Sequence, residues 1–437
     1  MRCAHQANGL WVLSTIAARR IVCQAGPKEV IPALFMAMIA PSTLYAKSTT
    51  VQVARDLRER AGLKCLLAVD RTTPQALRRS MAGVVPPRYG QDPADKQERT
   101  RTRLAFAGQR GISMEEWGGM LEQMNRAESA MAAFHSLLRT LDDGEKDFEN
   151  DTITRGYEGL DFPYLAVLTS ATPRDLVKCM EEGSKWWHDG FWARCAFLTP
   201  APDEQPSMAH HPRGGYVVPA SLIIPLADWH RRLGVPTVQM VEDLDPRGKP
   251  TGLWAAEVSP LPQQQLTIDS AVSDAYEAYD DGLGTLLIRG DVPNDFNACY
   301  GRFHAKALRM ALLFASFAGE RSIQLHHWSA AQQIAETWRM NLHQLYASLS
   351  DDQPLSKEEA IEGKILRYLS RAGQATARDI HRYCNIKDSS LLHKTLVALE
   401  RTEQLIVEKH GRTTRYGLLP SDADDEAPSE TLDENDH

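Results

Sequence analysis

At 437 residues the chain is long enough for two or three domains, and 43% hydrophobic residues is ordinary for a globular protein. The formal charge of −8 sits at one end: residues 421–437 hold eight Asp/Glu and no Lys or Arg, leaving a neutral body of 49 acids and 49 bases. No apolar run approaches the ~18 residues of a membrane span, and Arg19-Arg20 interrupts the N-terminal stretch before a signal peptide is complete.

In chain order, an apolar run over residues 31–39, broken only by Pro32, predicts the first core strand. Ala40-Pro41-Ser42-Thr43-Leu44-Tyr45-Ala46-Lys47-Ser48-Thr49 follows, and then an amphipathic helix over 50–61. Strand, loop, helix and a Lys-Ser pair are the layout of a phosphate-binding loop. The pattern G-x-x-x-x-G-K-[ST], counted back from Lys47, requires glycine at 41 and 46, where this chain has Pro41 and Ala46. Such a loop cradles phosphate with successive backbone N–H groups at a helix N-terminus. Proline has no N–H to offer and alanine resists positive φ, so part of the cradle must be rebuilt. The alternative is a strand that ends at Pro41, with Lys47 solvated.

Residues 65–70 predict a second short strand ending in Asp70, and Thr73-Pro74 a capped helix start. A Pro/Gly break over 84–93 leads to a charged helix over 94–107, then to Arg110-Gly111-Ile112-Ser113-Met114-Glu115-Glu116, then to helices over 117–124 and 129–140. Residues 164–170 and 193–200 are near-continuous apolar strands. Strands of that kind separated by helices predict a buried, mostly parallel sheet. From 201 to 265 the composition shifts to Pro, Gly and charge, which predicts a loop-rich insertion with a mobile run over 231–250. Helices are predicted over 269–280, 303–318 and 329–348, the second apolar on most sides and therefore buried.

The seven cysteines are scattered singly, which predicts reduced thiols in a cytoplasm, and the lack of a C-x-x-C pair argues against a zinc ribbon. The pairs His210-His211 and His326-His327 have no further ligand at metal spacing, and they read as surface or capping histidines.

Residues 350–354 form a linker. Helices over 360–370, 377–383 and 389–402, then strands over 405–409 and 414–418 joined by Gly411-Arg412, predict a winged helix-turn-helix. Residues 357–419 carry twelve Lys/Arg against eight Asp/Glu. His393, Lys394 and Arg401 on the third helix, with Lys409, Arg412 and Arg415 on the wing, suit DNA groove and phosphate contacts. Protein docking by the same module is the alternative. The acidic tail after 420 cannot bury enough apolar surface to order itself.

The loop at 40–49, the acidic block 111–116, the segment 165–173, the segment Asp189-Gly190-Phe191-Trp192-Ala193-Arg194 and the helix 306–313 together resemble a phage and mobile-element family, domain-of-unknown-function 3987. Its members look like RecA-type P-loop ATPases and are often encoded beside primases. The resemblance spans residues 13–349, and the order and spacing of the blocks carry it. It implies an α/β fold: a RecA-like P-loop NTPase core with a mostly parallel sheet and degenerate Walker A over 1–200. The insertion at 201–265, a helical part of the core at 266–350, the winged helix at 356–420 and a disordered tail at 421–437 complete it.

The resemblance assigns roles residue by residue. Ser42, Thr43, Ala46, Lys47, Ser48 and Thr49 would hold ATP, with Lys47 on the β- and γ-phosphates and Ser48 on Mg2+. Glu115 would take the Walker B position on the metal's water, where family members usually carry Asp, and Glu116 would orient the attacking water. Thr169 or Ser170 would sense the γ-phosphate, or merely cap the turn before Thr172-Pro173. Arg194 would act as an arginine finger across a homo-oligomeric ring, or form a structural salt bridge. Lys306 and Arg309 share a helical face and reach either a phosphate or acids. The implied function is a nucleotide-binding ATPase that binds DNA in replication or maintenance of a mobile element, with a primase or other replication protein as partner. An inactive fold serving as a DNA-binding or adaptor protein is the alternative.

Overall fold

A computed structural model describes residues 2–41, 45, 47–68, 72–126, 128–152, 156–180, 184–201, 204, 217–350, 357–384, 386, 388–402, 404–410 and 413–418. The chain divides into two units: Met1–Ala40 with Tyr45–Asp352, and a second one drawn from Gln353–His437. The tail 421–437 and the pair His210-His211 lie outside the described residues. No described helix is long and apolar enough to cross a membrane.

The larger unit is mixed α/β. Its central sheet has four strands in the order Gln109–Met114, Tyr164–Ala171, Phe35–Ile39 and Cys195–Leu198, every neighbouring pair parallel. Leu67 adds a parallel bridge to Gly111 at the free edge. All residues of these four strands are buried, as expected of a parallel sheet covered by helices. The helix Arg2–Ala17 packs on the three strands from 35, 109 and 164. It is anchored by Trp11 Nε1 donating to Ala166 O at 3.3 Å and by Tyr164 Oη donating to Ser14 O at 2.7 Å. Both aromatic rings are buried, and each spends its one polar atom on a backbone carbonyl.

A second sheet joins distant parts of this unit, in the order Ser322–Ile323, Gln264–Ile268, Ile21–Ala25, Lys28–Val30. Ile21 lies opposite Gln264, and Thr267 opposite Ser322, both in parallel register. The buried helix Phe303–Ala318 packs against this sheet and against the long helix Leu325–Ser350.

Over its described residues 217–265 the segment expected to be loop-rich is largely helix and strand. It holds the helix Ala220–Arg232 and an antiparallel hairpin, Val238–Leu244 with Pro250–Val258. The stretch expected to be mobile, 231–250, covers the end of that helix, the first strand of the hairpin and its turn, where Asp245 Oδ1 accepts from the N–H groups of Arg247 and Lys249, both at 2.8 Å. Asp, Pro and Gly here mark a turn between two strands. The strand expected over 65–70 is instead a short 3-10 turn at Lys64–Leu66 followed by the single bridge at Leu67, and residues 69–71 lie outside the described region.

The smaller unit contains helices Lys357–Ala372, Ala377–Tyr383 and Ser389–Arg401. Its antiparallel sheet has the order Gln374–Thr376, Thr413–Leu418, Leu405–His410. Ile365, Leu369, Ile380, Leu396, Leu399 and Leu405 form its core. Thr376 and Asp379 make a reciprocal capping box on the second helix, and Asp388 caps the third through the N–H groups of Ser390 and Leu391.

Candidate functional site

The C-terminal ends of the parallel strands bring together residues that are far apart in sequence. Open parallel sheets bind ligands at this end. Ile39 and Ala40 finish one strand, Ser170 and Ala171 its neighbour, and Met114 the next, with Glu115 and Glu116 immediately beyond. The helix Lys47–Arg60 starts at this end too, and directs the positive end of its dipole there.

Lys47 is half-buried, and its ammonium donates to Ala40 O and, at 2.8 Å, to Ala171 O. It therefore clasps the ends of two adjacent strands. Its own carbonyl accepts from Thr50 Oγ1 at 2.7 Å, and that hydroxyl accepts from Asn8 Nδ2 at 3.1 Å. Ser48 and Thr49 are exposed. Ser42, Thr43 and Ala46 lie outside the described residues.

Glu115 is half-buried and Glu116 exposed. Ser170 Oγ donates to Glu115 O at 2.9 Å, coupling the two strand ends directly. Thr169, the other candidate sensor, turns its hydroxyl to Met36 O at 3.4 Å. Arg55 Nη2 lies 3.2 Å from Glu115 Oε1, and the same guanidinium donates to Ser113 Oγ at 3.1 and 2.8 Å. Arg55 was not among the residues the sequence singled out. It stands two helical turns after Lys47 on the same side of one helix, which was the available signal. Beside it opens a cavity of about 670 Å³, lined by Arg55, Thr72, Thr73, Glu115, Glu116 and Gln123 among others.

Arg194 faces inward, and the salt-bridge alternative describes it. It is 8% exposed. Its Nη2 donates to both oxygens of Asp143 at 2.7 Å, its Nη1 to Gly190 O at 2.8 Å, and its Nε lies 3.6 Å from Asp142 Oδ2. A guanidinium held on three sides within its own subunit does not project as a finger toward a neighbour. Arg309 likewise reaches an acid: its Nη1 donates to Asp142 Oδ1 and, at 2.9 Å, to Ala33 O. Burial pushes the Asp142 carboxyl up, but Arg309, Arg302 and Arg194 outweigh it and hold the group below its usual range. Lys306 donates to Cys195 O at 2.6 Å, and burial pushes its amine down to about 8. Asp142 and Asp143, also missed, close a helix at the end where its dipole disfavours acids, a sign that cations wait there.

In the smaller unit, Leu392, Thr395, Leu396 and Leu399 form the buried face of the third helix, leaving His393, Lys394 and Arg401 exposed on the other. Arg415 is exposed on the strand Thr413–Leu418. The Lys409 side chain and Arg412 lie outside the described residues.

No family model matches the chain, and no curated protein matches it. A solved structure, that of the ORC2 protein of Aeropyrum pernix in an ADP form, aligns over 95% of this chain and 89% of its own, with 12% identity and a TM-score of 0.25. A score that low carries no argument about this chain's fold or activity.

Proposed function

We propose that the chain is a RecA-like nucleotide-binding protein, an ATPase with a degenerate Walker A loop, that acts on DNA in replication or maintenance of a phage or other mobile element. The convergence of Lys47, Ser48, Glu115, Glu116 and Ser170 at one end of a parallel sheet carries this reading. A hydroxyl and a carboxylate are the hard oxygen donors that magnesium takes, so Ser48 and Glu115 fit that ion, which would neutralise phosphate charge. Lys47 binds phosphate by leaving the two strand-end carbonyls. Glu116, exposed at the rim, orients the attacking water. The smaller unit, read as a winged helix, meets duplex DNA with His393, Lys394, Arg401 and Arg415, and a primase or similar replication protein is the partner class.

The same geometry supports a second reading. Lys47 already rests on two carbonyls and Glu115 on Arg55, so both charges are satisfied without a ligand, as an inactive DNA-binding or adaptor protein requires. Phosphate release measured with ATP, magnesium and DNA separates the two. Turnover in the wild type that Lys47→Ala abolishes supports the enzyme; absence of both turnover and a nucleotide-induced thermal shift supports the adaptor.

For DNA, the double variant Lys394→Ala, Arg401→Ala is expected to weaken duplex binding. If each residue meets one phosphate, the slope of log K against log salt falls by about 1.8, at roughly 0.9 per phosphate contact. An unchanged slope in a fluorescence-anisotropy titration moves the contact off this helix.

A further inference from the structure

The pair His326-His327, which lacks a third ligand in the sequence pattern, acquires one in the fold. Gly319 ends the buried helix Phe303–Ala318 in a left-handed turn with φ of 86°, and Glu320 follows at once. The edge strand Ser322–Ile323 then leads into the helix Leu325–Ser350, whose first turn carries both histidines. This short reversal places one donor atom from each of Glu320, His326 and His327 within 4.8 Å of the others.

Two features distinguish the cluster from a chance meeting of surface groups. His327 is 4% exposed, and its Nε2 has no hydrogen-bond partner although it lies 3.9 Å from Glu320 Oε1, too far for such a bond. Glu320 Oε2 is buried and without a partner as well. Two buried polar atoms of neighbouring side chains thus have no partner, an arrangement that ordinarily costs free energy.

We propose that Glu320, His326 and His327 bind a divalent transition-metal ion of the zinc class. Two imidazoles and a carboxylate form a three-ligand set that zinc accepts, with solvent in the fourth position on the exposed His326 side. Donors about 2.0–2.1 Å from a tetrahedral ion lie about 3.3 Å apart. The exposed His326 and the half-buried Glu320 supply the contraction by side-chain rotation. In the empty site His327 Nδ1 accepts from Gln324 N–H at 3.2 Å, a helix-capping bond, so the ring proton is on Nε2. For Nε2 to serve as a ligand its proton would have to pass to Nδ1, which would give up the capping bond in exchange for the metal bond. The ion then ties the end of one buried helix to the start of the next, independently of any nucleotide.

The test is calorimetric titration of Zn2+ into the full chain after treatment with chelator and dialysis, paired with the melting temperature of each variant without metal. The wild type is expected to take up one ion and to melt higher with it. Glu320→Gln and His326→Ala, which spare the capping His327, are expected to weaken that event at least about ten-fold while melting normally without metal. His210→Ala with His211→Ala is expected to leave it unchanged. No uptake by the wild type, full affinity in both Glu320→Gln and His326→Ala, or a loss confined to the 210/211 variant overturns the proposal.

Discussion

Asp142→Asn is expected to destabilise the larger unit by about 3–5 kcal/mol, the cost of breaking a buried ion pair from one side. Asp142 is 1% exposed and faces three guanidiniums, those of Arg309, of Arg302 at 3.3 Å and of Arg194 at 3.6 Å. Asparagine keeps the shape and removes the charge, leaving positive groups buried without their counterion. All nine tryptophans precede residue 352, so their fluorescence in a urea titration reports this unit alone. Asp143→Asn serves as the comparison, because that side chain is 36% exposed and its pairs are screened; about 1 kcal/mol or less is expected.

The same carboxylate sets part of the acid limb of stability. Its folded pKa is depressed, so the unfolded chain takes up the proton first as pH falls. The contribution is complete above the unfolded value of about 3.9 and disappears as pH drops through the folded value. Asp142→Asn should therefore flatten the stability profile below about pH 4. An unchanged acid limb in the variant would assign that limb to other carboxylates.

Gly111→Ala is the second large effect, expected at about 1–3 kcal/mol for overpacking. Gly111 lies in the strand Gln109–Met114, with the helix Arg2–Ala17 pressed against it. A methyl built there overlaps Oγ1 and Cγ2 of Thr15 and approaches its Cβ to 2.9 Å. Backbone φ is not the obstacle, since Gly111 is not among the glycines in the left-handed region. Thr15→Ala removes the two closest atoms and keeps the third, so the double variant should recover part of the loss. Full additivity of the two single costs in the urea titration would show that the clash is elsewhere.

Long apolar runs were legible in the sequence because they satisfy one period without conflict. The strands near 35 and 164, and the helix Phe303–Ala318, fall where the patterning put them. The strand Gln109–Met114 was not recognised as one, because Gln109, Arg110 and Ser113 break its apolar character while being buried. Their polar atoms are spent on the fold: Arg110 donates to Ser80 O at 3.0 Å, and Gln109 Nε2 to Phe162 O at 2.7 Å. The helix Arg2–Ala17 escaped detection for a related reason, being apolar or small on nearly every side and so lacking an amphipathic stripe. Lys47, Ser48, Glu115 and Glu116 stood out by residue type, whereas Arg55, Asp142 and Asp143 left only faint helical signals, because the partners they meet, Glu115, Arg194 and Arg309, come from distant parts of the chain.

The pairing of Ile21–Ala25 with Gln264–Ile268, and of the latter with Ser322–Ile323, has a consequence for synthesis. A nascent chain can pair Ile21–Ala25 with Lys28–Val30 at once, but cannot cover that strand's other edge until more than two hundred further residues have left the ribosome. Closing such a long loop precedes any reward from the contacts it makes, which slows folding and leaves the early apolar segments uncovered meanwhile. Premature termination between 201 and 263 should therefore yield an aggregating fragment, because that strand edge would have no mate.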